Sequence, residues 1–289
     1  MAVVRPFRRL NRYRVARAVR LALLHVVAVG AGITFVIPFV WMLSTSLKTP
    51  QAVFRFPPEW IPNPVVWRNY VNALTMVPFG VYSRNTAIIT AASLAGQILS
   101  ASVVAYGFAR LRFPGRDVLF ILLLATMMLP WQVTMVPLFV VFKNLHWLNT
   151  YLPLVLPKWL GGDPFFIFLL RQFFLTLPQE LDEAAKIDGC GPFRIYWQIL
   201  LPLAVPGLTA VAIFSFLWNW NDFLWPLIIL NDRMKWTIAL GLSGFRDEYS
   251  TNWSHLMAAS AVATLPCLLV FFFFQRYFIE GIVMTGTKG

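Results

Sequence analysis

The chain has 289 residues, 58% of them hydrophobic and only 12% charged, with a mean hydropathy of +0.67. A soluble domain carries about twice that charged fraction, so a soluble fold is excluded. Several apolar runs reach the ~20 residues that cross a bilayer, and a multispanning membrane protein without a soluble domain is expected. The net charge of +12 does not point to nucleic acid, because seven of the 24 basic residues are Arg5, Arg8, Arg9, Arg12, Arg14, Arg17 and Arg20. A basic stretch of this kind, next to a first span and free of acidic residues, fixes the side of the membrane. It also suits anionic lipid.

Residues 1–20 therefore read as a basic cytoplasmic tail. The first span follows at about 21–46. Its apolar stretch, 21–43, is longer than the core of a signal peptide, so a retained helix is expected. The second span runs over about 85–110 and carries no charge before Arg110. The third covers about 117–142 and contains Pro130 and Pro137, which predict kinks. The fourth, about 152–177, is interrupted by Gly161-Gly162-Asp163-Pro164. There Asp163 is placed to cap a new helix and Pro164 to open it. The fifth runs over about 200–230, bent near Pro202 and Pro206, and the sixth over about 255–274. Six spans put both termini on one side. Fifteen basic residues fall on the side of the tail against eight on the other, with Lys158 unassigned, so both termini are expected in the cytoplasm.

Between the fourth and fifth spans lies a polar island, Glu183-Ala184-Ala185-Lys186-Ile187-Asp188-Gly189-Cys190-Gly191-Pro192. Thr176 and Gln179, three apart, fit a capping box, and a helix over 178–188 is expected. Glu180, Asp182 and Glu183 suit its positive end. Gly189 is placed to end it with a positive φ, and Gly191-Pro192 to open a second helix. A small, charged helix–turn–helix at a membrane face suits the grip of a partner protein. A generic amphipathic loop lying on the membrane is the alternative reading of the spacing alone.

Glu183-Ala184-Ala185, Asp188-Gly189 and Ile199-Leu200-Leu201-Pro202 resemble the EAA signature of ABC importer permeases, with Cys190 where alanine is usual. Phe168-Leu169-Leu170-Arg171-Gln172-Phe173-Phe174, Trp218-Asn219-Trp220-Asn221-Asp222-Phe223, Gln275-Arg276-Tyr277-Phe278-Ile279-Glu280-Gly281 and Thr287-Lys288-Gly289 extend the likeness over about 21–289. They are similar to the carbohydrate-uptake branch, the subunit type of the maltose permease G protein. The resemblance implies an all-α type I importer permease with six transmembrane helices in one domain, 21–289, and a coupling loop at about 178–192. It implies an ATPase contact through Glu183, Ala184, Ala185, Asp188, Gly189, Cys190, Pro192 and Pro202. The implied partners are two ABC ATPase subunits, a second homologous permease and an extracytoplasmic solute-binding protein. The implied solute is a sugar or sugar-like, and the place a bacterial or archaeal inner membrane. ATP and magnesium would be bound by the partner ATPase, with no cofactor in this chain.

Trp218, Asn219, Asn221 and Asp222, near the outer end of the fifth span, read either as part of a solute path or as an interfacial aromatic belt. Arg171 reads as snorkelling from the inner end of the fourth span, with a gate as the alternative. The outer segment 231–254, with mixed charge and aromatics, suits the docking of a soluble partner or simple solvation. His25, His146 and His255 are scattered without metal spacing. Cys190 and Cys267 are too few for a disulfide frame or a metal site. No Gly-x4-Gly-Lys-Ser/Thr phosphate loop occurs, so the chain is not expected to be an enzyme. A secondary, ion-coupled transporter is the alternative function. Charged residues near span centres would favour it, and they are almost absent here.

Overall fold

The computed structural model describes residues 7–245 and 252–286. Arg5, residues 246–248 of the outer segment and the closing Thr287-Lys288-Gly289 lie outside the described residues. Among the described residues every regular element is helical. Four helical stretches are long and apolar enough to cross a membrane: Ala16–Ser46, Phe79–Arg110, Leu152–Thr176 and Trp253–Gln275. Two helix pairs meet the same test as broken spans, Arg116–Thr126 with Trp131–Asn144 at 97° and Pro192–Leu203 with Val205–Trp220 at 76°. The six expected spans thus correspond to four candidate spans and two sharply bent helix pairs, which bring the number to six if each pair crosses as one span. Pro130, just ahead of Trp131, pushes Leu129 out of helical geometry. Pro202 and Pro206 flank the second bend at Ala204 and remove two backbone donors from it.

In chain order the helices are α1 (Phe7–Ser46), α2 (Pro50–Val53), α3 (Arg68–Met76), α4 (Phe79–Arg110), α5 (Arg116–Thr126), α6 (Trp131–Asn144), α7 (Leu152–Trp159), α8 (Pro164–Thr176), α9 (Glu180–Ile187), α10 (Pro192–Ile195), α11 (Leu201–Leu203), α12 (Val205–Trp220), α13 (Leu224–Ile229), α14 (Ile238–Leu242) and α15 (Trp253–Gly286). A π-helical turn, Tyr196–Leu200, joins α10 to α11. The chain divides into two compact units, Met1–Ala73 with Thr251–Ala261 and Leu74–Ser250 with Val262–Gly289.

In the first unit α1 is continuous from Phe7, so the basic stretch from Arg8 onward extends the helix of the first span. None of its membrane-crossing window is buried. Among the described residues of α1, burial begins only near its end. A helix C-terminus leaves four carbonyls without partners. Here the Asn69 amide donates to Ser46 O at 2.9 Å and Lys48 O at 2.8 Å. Val66 N donates to Leu47 O at 2.8 Å. The Ser44 hydroxyl reaches Trp60 O at 2.6 Å, and Ser46 meets the Tyr70 hydroxyl at 2.8 Å. Lys48 is buried with its ammonium 4.0 Å from the Trp41 ring centre. Burial lowers its pKa, against an opposing pull from Glu59. Asn69→Leu removes both amide donors from buried carbonyls, each worth about 1–3 kcal/mol when left unpaired. Its expected effect is a lower melting midpoint in detergent, and an unchanged midpoint would show that Asn69 does not hold the end of α1.

In the second unit α4 lies at the centre, packed by α7, α8 and α12. Small residues on α4 let its neighbours approach closely. A side chain at Gly96 would overlap the Trp159 ring, and Ala101 and Ala105 are fully buried against Phe166, Leu170 and Phe174 of α8. α7 and α8 are separate helices, as the Gly161-Gly162-Asp163-Pro164 break predicts. Asp163 accepts from Phe165 N at 2.9 Å and Pro164 opens α8. α7 ends at Trp159, leaving its last carbonyls without intrahelical partners. Ser100 of α4 donates to Lys158 O at 2.7 Å. Ser93, on the same stripe, donates to Leu154 O at 3.3 Å. Hydroxyls on one helix thereby serve the interrupted backbone of another, as a bilayer requires. Nearer the start of α4, Asn85 donates to Met234 O and Trp236 O, and Thr86 accepts from Ile238 N.

Candidate functional site

The polar island folds as α9, a glycine turn and α10. α9 spans Glu180–Ile187, shorter at its start than the expected 178–188. The capping box does not form. Gln179 makes no side-chain capping bond, and the Thr176 hydroxyl turns back to Phe173 O at 2.7 Å. In a polar, three-acid first turn the dipole is served by charge alone. The end of α9 is as expected and more complete. Gly189 has φ +78°. Its N–H donates to Lys186 O at 3.0 Å, and Cys190 N donates to Ala185 O at 2.9 Å. These two bonds make a Schellman motif, with Gly189 in its left-handed position. Cys190 follows, half-buried against the core. Pro192 then opens α10.

The loop is tied to α4 by three side chains at i, i+4 and i+8. Ser102 shares a hydrogen bond with the Tyr196 hydroxyl at 2.8 Å. The Tyr106 hydroxyl donates to Pro192 O at 2.9 Å. Arg110 pairs with Asp182 across 3.3 Å, Nη1 to Oδ2, and both side chains are largely buried. Its Nη2 donates to Phe174 O at 2.9 Å and Leu177 O at 2.8 Å, carbonyls at the end of α8.

Of the residues singled out in the sequence, Glu183, Ala184, Asp188, Gly189, Pro192 and Pro202 are exposed. Ala185 is not; it is buried in the chain's own core. Three apolar side chains that the sequence reading passed over stand out on the loop. Ile187 is 86% exposed, Phe193 74% and Trp197 52%, and the rings of Phe193 and Trp197 stack 6.4 Å apart. A signal for them existed: Phe193 and Trp197 are four apart on the helix that Pro192 opens.

Trp218, Asn219, Asn221 and Asp222 fall where α12 ends. Trp218 is partly exposed and packs on Phe166 and Phe165, with centroids 4.9 and 5.6 Å away. The Asn219 amide donates to Ser215 O and the Asn221 amide to Leu217 O, each one turn back. Asp222 accepts from Trp225 N at 3.3 Å and so caps α13. α12 stops at Trp220, ten residues short of the expected 230, and α13 takes up the chain at Leu224. Arg171 does not reach away from the chain. Its guanidinium lies 4.0 Å from the Phe120 ring centre and donates to Phe108 O at 3.3 Å. Among the described residues no group of three His, Cys, Asp or Glu side chains could hold a metal.

Residues 97–283 match the family described as binding-protein-dependent transport system inner membrane component. A probable ABC transporter permease protein of Pyrococcus horikoshii is 36% identical over 90% of this chain and 95% of its own length. The diacetylchitobiose uptake system permease protein of Streptomyces coelicolor is 36% identical over 92% of this chain and 88% of its own. In fold, the chain superposes with a TM-score of 0.78 on a chain in the crystal structure of a bacterial ABC transporter involved in the import of the acidic polysaccharide alginate. That match covers 96% of this chain and 100% of the other at 21% identity.

Proposed function

The chain belongs to the binding-protein-dependent inner-membrane permeases of ABC transporters, and on that premise we propose that residues 178–192 are the loop through which it is driven. As a family member it is a multi-pass inner-membrane subunit, and ATP is hydrolysed by partner subunits. The observation that carries the proposal is the loop's surface. A helix ended by a Schellman motif turns Ala185 inward and leaves Glu183, Ala184, Asp188, Ile187, Phe193 and Trp197 outward. Three large apolar side chains set among charges suit a desolvated contact with another protein. The ATPase partner would meet Ile187, Phe193 and Trp197, ringed by Glu183 and Asp188. Ala185 and Cys190 would act from within, by holding the loop's shape, and Pro202 by bending the chain beyond it.

The rest of the proposal follows from the same premise. Two ATPase subunits act on this chain and on a second, related permease, with both termini of this chain in the cytoplasm. Residues 21–289 form the membrane domain and 1–20 its basic tail. A solute-binding protein docks outside. ATP-driven closure of the ATPases shifts the pathway between two accessible states. The solute is a sugar or sugar-like compound, as the diacetylchitobiose and alginate systems suggest for this one. Trp218 and the amides of Asn219 and Asn221 line its path beside Asp222.

The test is mass spectrometry of what copurifies with the tagged chain from its native membrane in mild detergent. Recovery of an ATPase and a second permease is expected, and recovery of the chain alone would defeat the reading. Ile187→Asp places a charge in the proposed contact and is expected to lower ATPase recovery about tenfold, the scale of one interface anchor. Undiminished recovery would move the contact elsewhere.

A further inference from the structure

We infer that α4 is the element that carries displacement of α9 into the membrane, with Arg110 as the positioning residue of that transmission. The inference rests on the coupling reading of the loop and adds a route to it.

The chain enters α9 through residues 177–179, which are not helical, and leaves it through the Gly189 turn. Farther on, the 76° bend at Ala204 separates the loop from α12. Neither backbone connection is a stiff rod. The side-chain ties to α4 differ. Ser102, Tyr106 and Arg110 lie on one stripe of a continuous 32-residue helix. They hold three successive points of the loop, Tyr196, Pro192 and Asp182. α4 is also the helix against which α7, α8 and α12 pack. A shift delivered to α4 is therefore delivered to the helices around it.

Arg110 is suited to this by its shape. One guanidinium joins the end of α4, the end of α8 and the first turn of α9. A lysine, with a point charge and no planar fork, does not span those three acceptors in fixed geometry. The pair is buried, so it is little screened, and removing one partner leaves an uncompensated charge. Arg110 Nε and Asp182 Oδ1 are both buried without a hydrogen-bond partner. For transmission, the pair must take a second arrangement when α9 moves. A transmitting element needs two discrete arrangements.

The experiment uses the complex of this chain with its partner subunits, carrying Cys190→Ala and Cys267→Ala. A nitroxide is placed either at Val103→Cys, on the exposed side of α4, or at Lys186→Cys on α9. Spectra are compared without nucleotide and after trapping with magnesium-ATP and orthovanadate. Both positions are expected to respond. Arg110→Gln is expected to keep the response at 186 and to cut the response at 103 about fivefold, the lower range of coupling between sites. Arg110→Lys is expected to restore part of it. An undiminished response at 103 in Arg110→Gln overturns the inference, as does the lack of any response at 103 with Arg110 intact. Should Arg110→Gln fail to assemble, Tyr106→Phe decides. It deletes one hydroxyl and is expected to lower the response at 103 about twofold, the lower range for the loss of one hydrogen bond, and an undiminished response overturns the inference. No response at 186 with Arg110 intact would instead bring down the coupling reading itself.

Discussion

Gly189→Pro is expected to abolish ATP-driven uptake while the chain still reaches the membrane. Gly189 stands at φ +78°, and its N–H donates to Lys186 O. Proline forbids that φ and removes that donor, at a cost of about 3 kcal/mol or more. No atom lies within 4 Å of a Cβ added there, so crowding is not the cause. Gly189→Ala separates the two backbone effects. It keeps the N–H and suffers only the left-handed strain of about 1–2 kcal/mol, so an intermediate loss is expected. The strain falls on the turn between α9 and α10 and not on any span, which is why insertion survives. Uptake of the solute retained by the companion binding protein, beside the membrane level of each variant, is the check. Full uptake by Gly189→Pro would show that the turn's geometry is not needed for coupling. Uptake lost together with membrane level would show that the turn serves folding instead.

Gly96→Ile is expected to have the largest effect on stability. A Cβ at Gly96 would fall on the Trp159 ring. The indole cannot withdraw freely, because its Nε1 donates to Ala92 O at 3.0 Å. α4 and α7 would have to separate, and the Ser93 and Ser100 bonds that flank the contact would be lost with it. Overpacking alone costs about 1–3 kcal/mol, sometimes more. The two hydroxyl bonds add about 0.6 kcal/mol each by the average for membrane helices. The melting midpoint in detergent should fall by about 5 °C or more. Trp159→Ala in the same background should recover part of the loss. An unchanged midpoint in Gly96→Ile would refute the close approach of α4 and α7.

Much of this was legible in the sequence, where a short-range rule decides the structure. Asp163-Pro164 opens α8 because a carboxylate cap and a fixed φ act within two residues. Gly189 ends α9 because few other residues adopt its φ. Pro130 and Pro202 mark the two bends. What depends on distant partners was not legible. Ala185 lies inward because the core that covers it comes from α4, α8 and α10. Arg110 reads as one more charge at the inner end of a span until Asp182 and the end of α8 are brought to it. Arg171 reads as a snorkelling side chain until Phe120 lies beneath it. The capping box at Thr176 and Gln179 has the right spacing. It fails because Thr176 is the last residue of α8 and its hydroxyl is spent there.

The π-helical turn at Tyr196–Leu200 sets a rotational phase. Each residue advances an α-helix by about 100°, and a π turn takes up an extra residue within one turn. The face presented by Phe193 and Trp197 and the apolar pattern of the membrane helix beyond Ala204 thus need not share one helical repeat. The wide turn absorbs the mismatch, so the aromatic face can point away from the core while Leu200 two turns later points into it. The angle at which the loop meets its surroundings is therefore written into residue count as much as into residue type.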